Sequence, residues 1–569
     1  MLVMDAAHRL AGMVAFRPLR RKLDRFLAQA RRARATSRRL LADTLASSAA
    51  SQFGRDHHLS NVRTVADFRR HVPIASYAYH APYIERLKMG QRDSLFDPSQ
   101  RVLMFALTSG TTAAPKYIPV TSRYVRAYRE GWMLWGLKTL LDHPTLYHNT
   151  WDLRPKGMVQ LVGNWDEFRT PTGIPCGSVS GLIARMQRPL VRSLYFVPPS
   201  TGLIKDPVSK FYTVLRVTMP RRVGQVLSAN PSTLIGLART GDEHKQDLIR
   251  DIADGTLSDA YDVPGAVRRS LASELKKPNR RRARELDAIV AQTGNLLPRD
   301  YWPTLGLLGN WTGGTVGAYI RQFSRLFGDV PVRDIGLMAS ESRMTIPLAD
   351  GTPAGVLDVS HHFFEFVPEG ERGSSRPIVL EAHELEPGRS YFILMTTASG
   401  LYRYDIHDVV RCTGFFGEAP VLEFLNKGSQ FSNVTGEKLS EYQVVSAVHQ
   451  AGRELQLDLG CFTVAPCWDD PPYYALLAEE SEVPSPQAAS GLAARVDTLL
   501  AHGNVEYRNK RDTRRLAPLA VRLVRSGTWD ELQRRSSGAA EQYKHPYLVP
   551  SLDFARQFPD VRAASKAVA

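Results

Sequence analysis

A hydroxyl- and glycine-rich segment closed by a lysine contains the residues best suited to chemistry. It runs Thr108-Ser109-Gly110-Thr111-Thr112-Ala113-Ala114-Pro115-Lys116. Glycine lets the backbone approach an anion closely, hydroxyl groups donate hydrogen bonds, and lysine adds a mobile positive charge. The segment is not a Walker A loop, because no glycine directly precedes Lys116. It predicts a phosphate-binding loop between the apolar strand Val102 to Leu107 and a helix, with an ordinary polar turn as the alternative.

A carboxylate follows a second apolar segment, Ile335-Gly336-Leu337-Met338-Ala339-Ser340-Glu341. Ligands of open α/β sheets bind beyond the carboxyl ends of strands, which is where we expect Glu341. A carboxylate at that position could hold Mg²⁺ near a triphosphate. The alternative is a helix start, since Ser340 and Glu341 both favour the first turn of a helix.

A tyrosine-rich segment, Thr396 to Arg411, carries a second acid. Strand alternation places a set of residues on one face: Tyr402, Tyr404, Ile406, Asp408 and Val410. A buried acid needs partners, so Asp408 is predicted to form either a structural ion pair or a contact with a ligand such as the two hydroxyls of a ribose. Arg403 and Arg411 point to the opposite face, which makes a pair with either of them less natural.

A lysine lies just after a change in sequence character. Asn426 to Lys438 is polar and contains glycine, and we interpret it as a hinge. Lys438 beyond a hinge could reach a phosphate or carboxylate in one domain arrangement and leave it in another. The alternative is a surface lysine in a turn.

The elements that position these residues fit an α/β protein of two domains. A chain of 569 residues should hold more than one domain, and 43% hydrophobic with 23% charged residues is typical of globular proteins. Residues 100–430 alternate short apolar strands with longer helical patterns, which predicts a largely parallel α/β architecture. We therefore predict a large N-terminal α/β domain over residues 1–428 and a smaller, mobile α+β domain over residues 429–569.

The net charge of +16 raises the question of an anionic partner. Two basic clusters, Arg17 to Arg39 and Lys276 to Arg284, lie in helix-like sequence without the interleaved aromatic residues of a single-strand binding surface. Solvated helix faces are favoured, so no nucleic acid is expected. The chain has no run of 18 apolar residues, which predicts no membrane span. Four cysteines fit neither a metal site nor a disulfide framework and favour the cytoplasm.

The order of hydroxyl loop, strand-end acid, tyrosine-rich strand, hinge and lysine resembles the Gretchen Hagen acyl acid–amido synthetases, which conjugate auxin and jasmonate and belong to the adenylate-forming enzymes. The resemblance covers most of the chain. Further matching segments are Tyr301-Trp302-Pro303, Gly400 to Tyr404, Thr413-Gly414-Phe415, Ser526-Gly527-Thr528 and Gln542-Tyr543-Lys544. Four positions depart from the family pattern. Ala114 and His407 replace glycines, Leu337 replaces an aromatic residue usual in plant members, and Ala339 stands where those members often have serine.

The resemblance implies ATP and Mg²⁺ as cofactors and a set of roles. Glu341 would hold the metal, while Lys116 and Lys438 would be catalytic. ATP would be bound by Thr108, Ser109, Gly110, Thr111, Thr112, Lys116, Met338, Ala339, Ser340, Asp408 and Lys438. For the acyl acid we consider Arg126, Arg129 and Gly173, although arginines on a helix surface are the alternative there.

The activity implied is adenylation of a small carboxylic acid, followed by transfer of the acyl group to an amino acid or another amine. We expect a monomer. Two alternatives remain open. One is transfer to coenzyme A, which would give a thioester. The other is a non-catalytic relative that binds polyanions or acts as a scaffold.

Overall fold

The computed structural model describes residues 20–108, 115–146, 156–187, 189–313, 320, 322–371, 374, 376–426, 431–529, 531–532 and 545–559. The chain divides into two compact units. The first comprises Met1–Thr108, Lys116–Gly313 and Gly317–Phe424, and the second comprises Leu425–Ala569 together with the short segments Ser109–Pro115 and Gly314–Val316. Ser109, Gly110, Thr111 and Thr112 of the predicted phosphate loop lie outside the described residues.

Helices make up much of both units. In the first unit they are 20–31, Ala33–Ser48, Gln52–Asp56, Val65–His71, Tyr77–Lys88, Ser122–Asp142, Val179–Arg185, Pro189–Arg192, Pro207–Thr218, Pro231–Glu243, Lys245–Asp254, Gly265–Leu275, Arg280–Thr293, Pro298–Tyr301 and Phe323–Phe327. In the second unit they are Glu441–Leu455, Pro486–Gly503 and Val505–Asp512. Among the described helices, none combines the length and apolar character needed to cross a bilayer.

Strands belong to five sheets. Those of the first unit are β1 Val102–Thr108, β2 Lys116–Thr121, β3 Gly157–Gln160, β4 Phe168–Arg169, β5 Pro175–Gly177, β6 Val223–Leu227, β7 Leu307–Asn310, β8 Val332–Asp334, β9 Thr345–Ile346, β10 Gly355–Leu357, β11 Phe363–Pro368, β12 Leu380–Glu381, β13 Ser390–Thr396, β14 Tyr404–Phe416 and β15 Ala419–Asn426. Those of the second unit are β16 Phe431–Ser432, β17 Leu439–Ser440, β18 Thr463–Cys467, β19 Tyr473–Glu479 and β20 Ala520–Val524.

The predicted strand before the hydroxyl loop is confirmed as β1. It pairs antiparallel with β2, in a four-stranded sheet of order β2-β1-β5-β4. The helix Ser122–Asp142 starts directly after β2, as predicted, and the Thr121 side chain accepts a hydrogen bond from the Tyr124 amide. This cap satisfies one of the amides left open at a helix start and fixes how the helix leaves the hairpin.

A second sheet, of order β3-β6-β7-β8, is parallel throughout. Helices from Val179–Arg185 to Phe323–Phe327 lie between its strands in sequence. The predicted α/β class is confirmed by this arrangement. The edge strand β8 ends at Asp334, so the segment bearing Glu341 leaves from the carboxyl end of a parallel strand.

The expectation of a largely parallel fold up to residue 430 is wrong for its last part. Strands β9 to β15 form a seven-stranded sheet of order β12-β11-β13-β14-β15-β10-β9, and its neighbours pair antiparallel where the register is given. The connections here are short turns, which join antiparallel strands, whereas parallel neighbours need long crossovers. Alternate residues of β14 enter the core, including Tyr404, Ile406, Val410 and Cys412.

The second unit has its own apolar core. The sheet β18-β19-β20 carries the buried residues Val464, Leu476 and Leu523, which belong to one cluster with Leu492 and Leu500 of the helix Pro486–Gly503. Helices and a short sheet around a separate core agree with the α+β character predicted for this part of the chain.

Candidate functional site

The two ends of the hydroxyl loop are held side by side. Thr108 and Lys116 are directly opposite each other in the antiparallel pairing of β1 and β2. The Lys116 ammonium lies 5.7 Å from the centre of the Tyr77 ring. The Tyr77 hydroxyl accepts a hydrogen bond of 2.9 Å from the Tyr117 amide, and burial raises its pKa to about 12. Tyr77 therefore fixes the start of β2 beside Lys116.

Glu341 is 5% exposed and lies beside Tyr404 of β14, whose hydroxyl donates to a Glu341 carboxylate oxygen at 3.4 Å. The pKa of Tyr404 is raised well above its usual value, first by burial and then by the charges of Glu341 and Tyr77. Tyr404 thus keeps its proton and remains a donor. Lys116 of β2 thus lies beside Tyr77, and Glu341 lies beside Tyr404 of β14. Tyr404 belongs to the core cluster against which Tyr77 packs.

A tight loop holds Glu341, and no helix begins there. Met338 and Arg343 form an isolated antiparallel bridge, so Ala339, Ser340 and Glu341 lie within its turn. Gly336 has φ +89°, and a Cβ there would lie 2.3 Å from the Thr345 carbonyl oxygen, so this position requires glycine. The alternative of a helix start at Ser340 and Glu341 is therefore wrong.

The root of this loop is fixed by a buried acid. One Asp334 oxygen accepts the Gly336 amide at 2.7 Å, and the other accepts the amide and hydroxyl of Thr312 at 2.7 and 2.8 Å. Burial raises the pKa of Asp334 to about 6. Sequence reasoning missed this residue, because nothing marks it apart from its place at the end of a strand.

Asp408 is buried in β14, and the two neighbouring arginines bind other acids, in line with the prediction. Arg403 forms an ion pair of 2.8 Å with Glu365, and Arg411 pairs with Glu423. The strand departs from regular geometry here: Phe392 pairs with Val409 but Leu394 with Asp405, which leaves extra residues on β14. His407, within this irregular part, has φ +62°.

In the second unit, Lys438 is exposed, with φ +48°, at the end of a turn that precedes β17. The turn is organised by Glu437, whose fully buried carboxylate accepts the amides of Val434 and Thr435, both at 2.7 Å, and the hydroxyl of Tyr474. Such a set of donors holds the turn in one conformation. Sequence reasoning named Lys438 but missed Glu437, which positions it.

The residues considered for the acyl acid differ in their exposure to solvent. Arg126 is exposed and Arg129 half-buried on the helix Ser122–Asp142, and Gly173 is exposed in the turn between β4 and β5. On the inward side of the same helix, the Trp132 ring lies under the Arg343 guanidinium, 4.6 Å from its carbon to the ring centre. Tyr124, also on this helix, is buried.

The fold defines an α/β protein shaped like known amido synthetases. A solved structure of GH3.15 acyl acid amido synthetase aligns over 94% of this chain and 95% of its own, with a TM-score of 0.64 at 21% identity, which establishes the shared fold. The sequence matches the N-terminal domain of the GH3 family over residues 22–332, the central domain over 355–427 and the C-terminal domain over 442–553. The chain belongs to the GH3 family, and the resemblance seen in the sequence is confirmed.

Similar proteins in plants carry amido synthetase names. Indole-3-acetic acid-amido synthetase GH3.3 of Arabidopsis thaliana is 25% identical over 511 residues, covering 85% of this chain and 84% of that protein. Jasmonoyl–L-amino acid synthetase GH3.5 of Oryza sativa subsp. japonica is 25% identical over 541 residues, covering 88% and 90%. Relatives named for different acids thus align with similar shares of this chain.

Proposed function

We propose that this protein is an ATP-dependent acyl acid–amido synthetase, which adenylates a carboxylic acid and transfers the acyl group to an amino acid or another amine. The observation that carries this proposal is family membership along most of the chain, with relatives named as acid–amido synthetases. These names describe the activity expected from the sequence, which is that of an acid–amino acid ligase. The identity of the acid and of the amine is a separate question.

Residues from several segments of the chain would hold the nucleotide. Lys116, with the hydroxyl loop between Thr108 and Lys116, would bind phosphate oxygens, and Asp408 would accept hydrogen bonds from the ribose hydroxyls. Glu341 offers a carboxylate, the kind of ligand that Mg²⁺ prefers. When bound, Mg²⁺ would neutralise phosphate charge.

The chemistry needs positioning more than a nucleophile from the enzyme. A carboxylate resists amines, because its leaving group is poor. Attack of the carboxylate on the α-phosphate releases pyrophosphate and makes AMP the leaving group, which the amine then displaces. Holding the reactants in line and neutralising charge with Lys116 and Lys438 would lower the barriers of both steps.

Acid-dependent exchange of labelled pyrophosphate into ATP tests the first step. We expect exchange with one or more members of a broad acid panel, and none without acid. Label can enter ATP only when an acyl-adenylate forms and labelled pyrophosphate attacks it in the reverse reaction. Mass analysis of products with amino acids or coenzyme A then separates amide from thioester formation. Absence of exchange across the panel would contradict adenylation and favour a non-catalytic relative.

We further propose that the enzyme acts in the cytoplasm as a monomer. No disulfide joins any of the four cysteines, all of which lie in described parts of the chain. This agrees with the cytoplasmic location expected from the sequence. A monomer remains the expectation and can be checked by sedimentation.

A further inference from the structure

A buried arginine in the first unit lacks a counterion. Arg343 is 2% exposed, and its Nη1 donates to the carbonyl oxygens of Ile335 at 2.7 Å and Thr345 at 3.3 Å. Its Nε and Nη2 atoms are buried without a hydrogen-bond partner among the described residues. Burying a charged group whose donors have no hydrogen-bond partner costs free energy. We therefore expect these donors to bind a ligand.

The acidic residues that interact electrostatically with Arg343 already have other hydrogen-bond partners. Burial lowers the pKa of Arg343 to about 10, opposed by Tyr128, Asp358, Asp334 and Tyr124. One oxygen of Asp358 accepts the Ser360 hydroxyl at 2.5 Å and the other faces the His361 ring at 2.8 Å. Asp334 binds the amides at the root of the loop, as described above. The Nε–Nη2 edge of Arg343 is therefore left without an acceptor among the described residues.

Tyr124 is a second buried donor that has no partner in the described part of the chain, and it interacts electrostatically with Arg343. Tyr124 is 2% exposed, and its hydroxyl has no hydrogen-bond partner among the described residues. The charge of Arg343 lowers the Tyr124 pKa, although burial raises it overall, so the two groups interact electrostatically. Arginine can only donate hydrogen bonds, and a tyrosine hydroxyl donates readily. A single hydrogen-bond acceptor reached by both groups would therefore satisfy both donors.

The shape of the open edge selects the acceptor. Nε–H and Nη2–H of a guanidinium point the same way and match the two oxygens of a carboxylate. The helix makes room for this arrangement at Gly131, where a Cβ would lie 2.3 Å from Arg343 Cδ and 2.9 Å from Nε. The site is two residues from Glu341, where the proposed function places the reacting phosphates.

The reacting carboxylate is a poor match for this arginine. Adenylation turns it into a neutral acyl group, so Arg343 would lose its partner as the reaction proceeds. An interaction stronger in the ground state than in the transition state slows chemistry. A second carboxylate on the same acid keeps its charge through both half-reactions.

We propose that Arg343 and Tyr124 bind a second, non-reacting carboxylate of the acyl acid, so that the preferred substrates are dicarboxylic acids activated at one end. This rests on the proposed adenylating function. The Trp132 ring packs against one face of the Arg343 guanidinium and helps to hold it in position.

The test compares matched acids with the full-length enzyme. Aliphatic and benzene dicarboxylates of increasing length are each paired with the acid in which a methyl group replaces one carboxylate, such as adipate with hexanoate and terephthalate with para-methylbenzoate. We expect a preference of roughly 10- to 100-fold in kcat/KM of pyrophosphate exchange for one or more dicarboxylates, as for a charge-assisted bond. The Arg343→Met variant should lose this preference.

Thermal unfolding with the same acids gives a readout independent of turnover. The preferred dicarboxylate should raise the melting temperature of the wild type but not of Arg343→Met. Tyr124→Phe, which removes only the hydroxyl, should weaken the dicarboxylate effect several-fold if the first variant folds poorly. A preference for monocarboxylates, or one unchanged in both variants, would overturn the assignment. Loss of exchange with every acid, with the dicarboxylate shift kept, would instead argue against adenylation.

Discussion

Single side chains decide how a nucleotide would be held in the first unit. His407 occupies a left-handed conformation, which glycine adopts freely and other residues adopt at a cost of about 1–2 kcal/mol. The family pattern has glycine there, so the replacement keeps the backbone turn and adds strain. Its ring lies 2.9 Å from an Asp405 carboxylate oxygen, and its amide donates to the same carboxylate at 2.7 Å. These contacts offset part of that strain.

Asp408→Ala should weaken ATP binding, because a carboxylate that accepts two ribose hydroxyls contributes two charge-assisted hydrogen bonds. We expect a loss of about 10- to 100-fold in affinity, measured by calorimetry without acid. Glu423→Gln is the control, since it removes an acid of the neighbouring strand β15 that pairs with Arg411. Unchanged ATP affinity in Asp408→Ala would rule out the ribose assignment.

At the scale of elements, an ion network ties a helix to the antiparallel sheet. His361 Nδ1 lies 2.8 Å from Asp358, and its Nε2 lies 3.5 Å from Glu130 of the helix Ser122–Asp142. Burial alone would lower the pKa of His361, but Asp358 and Glu130 overcome this and raise it to about 10. The charged ring therefore fastens the helix that follows the hydroxyl loop.

This network predicts a pH dependence of stability. Since the folded pKa of His361 exceeds the ordinary value of 6.5, its contribution is complete below pH 6.5 and is lost as the pH rises toward 10. Between pH 7 and pH 10 the wild type should lose on the order of 2 kcal/mol more unfolding free energy than His361→Gln, measured by urea denaturation. His383→Gln is the control and should follow the wild type. Parallel curves for wild type and His361→Gln would refute this role.

Elements were predictable where local pattern and packing agree. The apolar run of β1, the helix after β2 and the burial of Tyr404 and Ile406 follow from periodicity. The antiparallel sheet was not predictable, because strand direction depends on pairing between distant segments. In the site, residue type pointed to Glu341 and Asp408, whereas Tyr77 and Arg343 gain their importance only from three-dimensional contacts that leave no local signal.

Across the whole molecule, the basic charge is spread over solvated helix faces. In the helix 20–31, Leu23, Phe26 and Ala30 are buried while Arg21, Lys22, Arg25 and Arg31 are exposed. In the helix Arg280–Thr293, Ala283 and Leu286 face the core, and Arg281 and Arg282 pair with Glu285. This is the amphipathic pattern of a surface helix. The described parts of both basic clusters therefore fit the solvated helix faces predicted from the sequence.

Lys438 belongs to the second unit, which has its own apolar core, and its proposed role at the reacting phosphate can be tested by substitution. Lys438→Ala should reduce acid-dependent pyrophosphate exchange by roughly 100-fold or more, because a positive charge at the reacting phosphate would be lost. Its melting temperature should match the wild type, since Lys438 is exposed. Arg453→Ala, an exposed charge on the helix Glu441–Leu455, is the control. Full exchange activity in Lys438→Ala would remove this lysine from the mechanism.

The absence of a side chain at Gly131 links two positions that are more than two hundred residues apart. Any larger residue there would collide with the Arg343 side chain, at a Cβ distance of 2.3 Å from Cδ. Glycine inside a helix costs about 0.5–1 kcal/mol relative to alanine, and at position 131 the Arg343 side chain fills the space that the missing Cβ leaves. In an alignment of relatives, arginine at position 343 should co-vary with glycine at position 131. Chains with a larger residue at 131 should carry a shorter one at 343 and, with it, a different choice of acid.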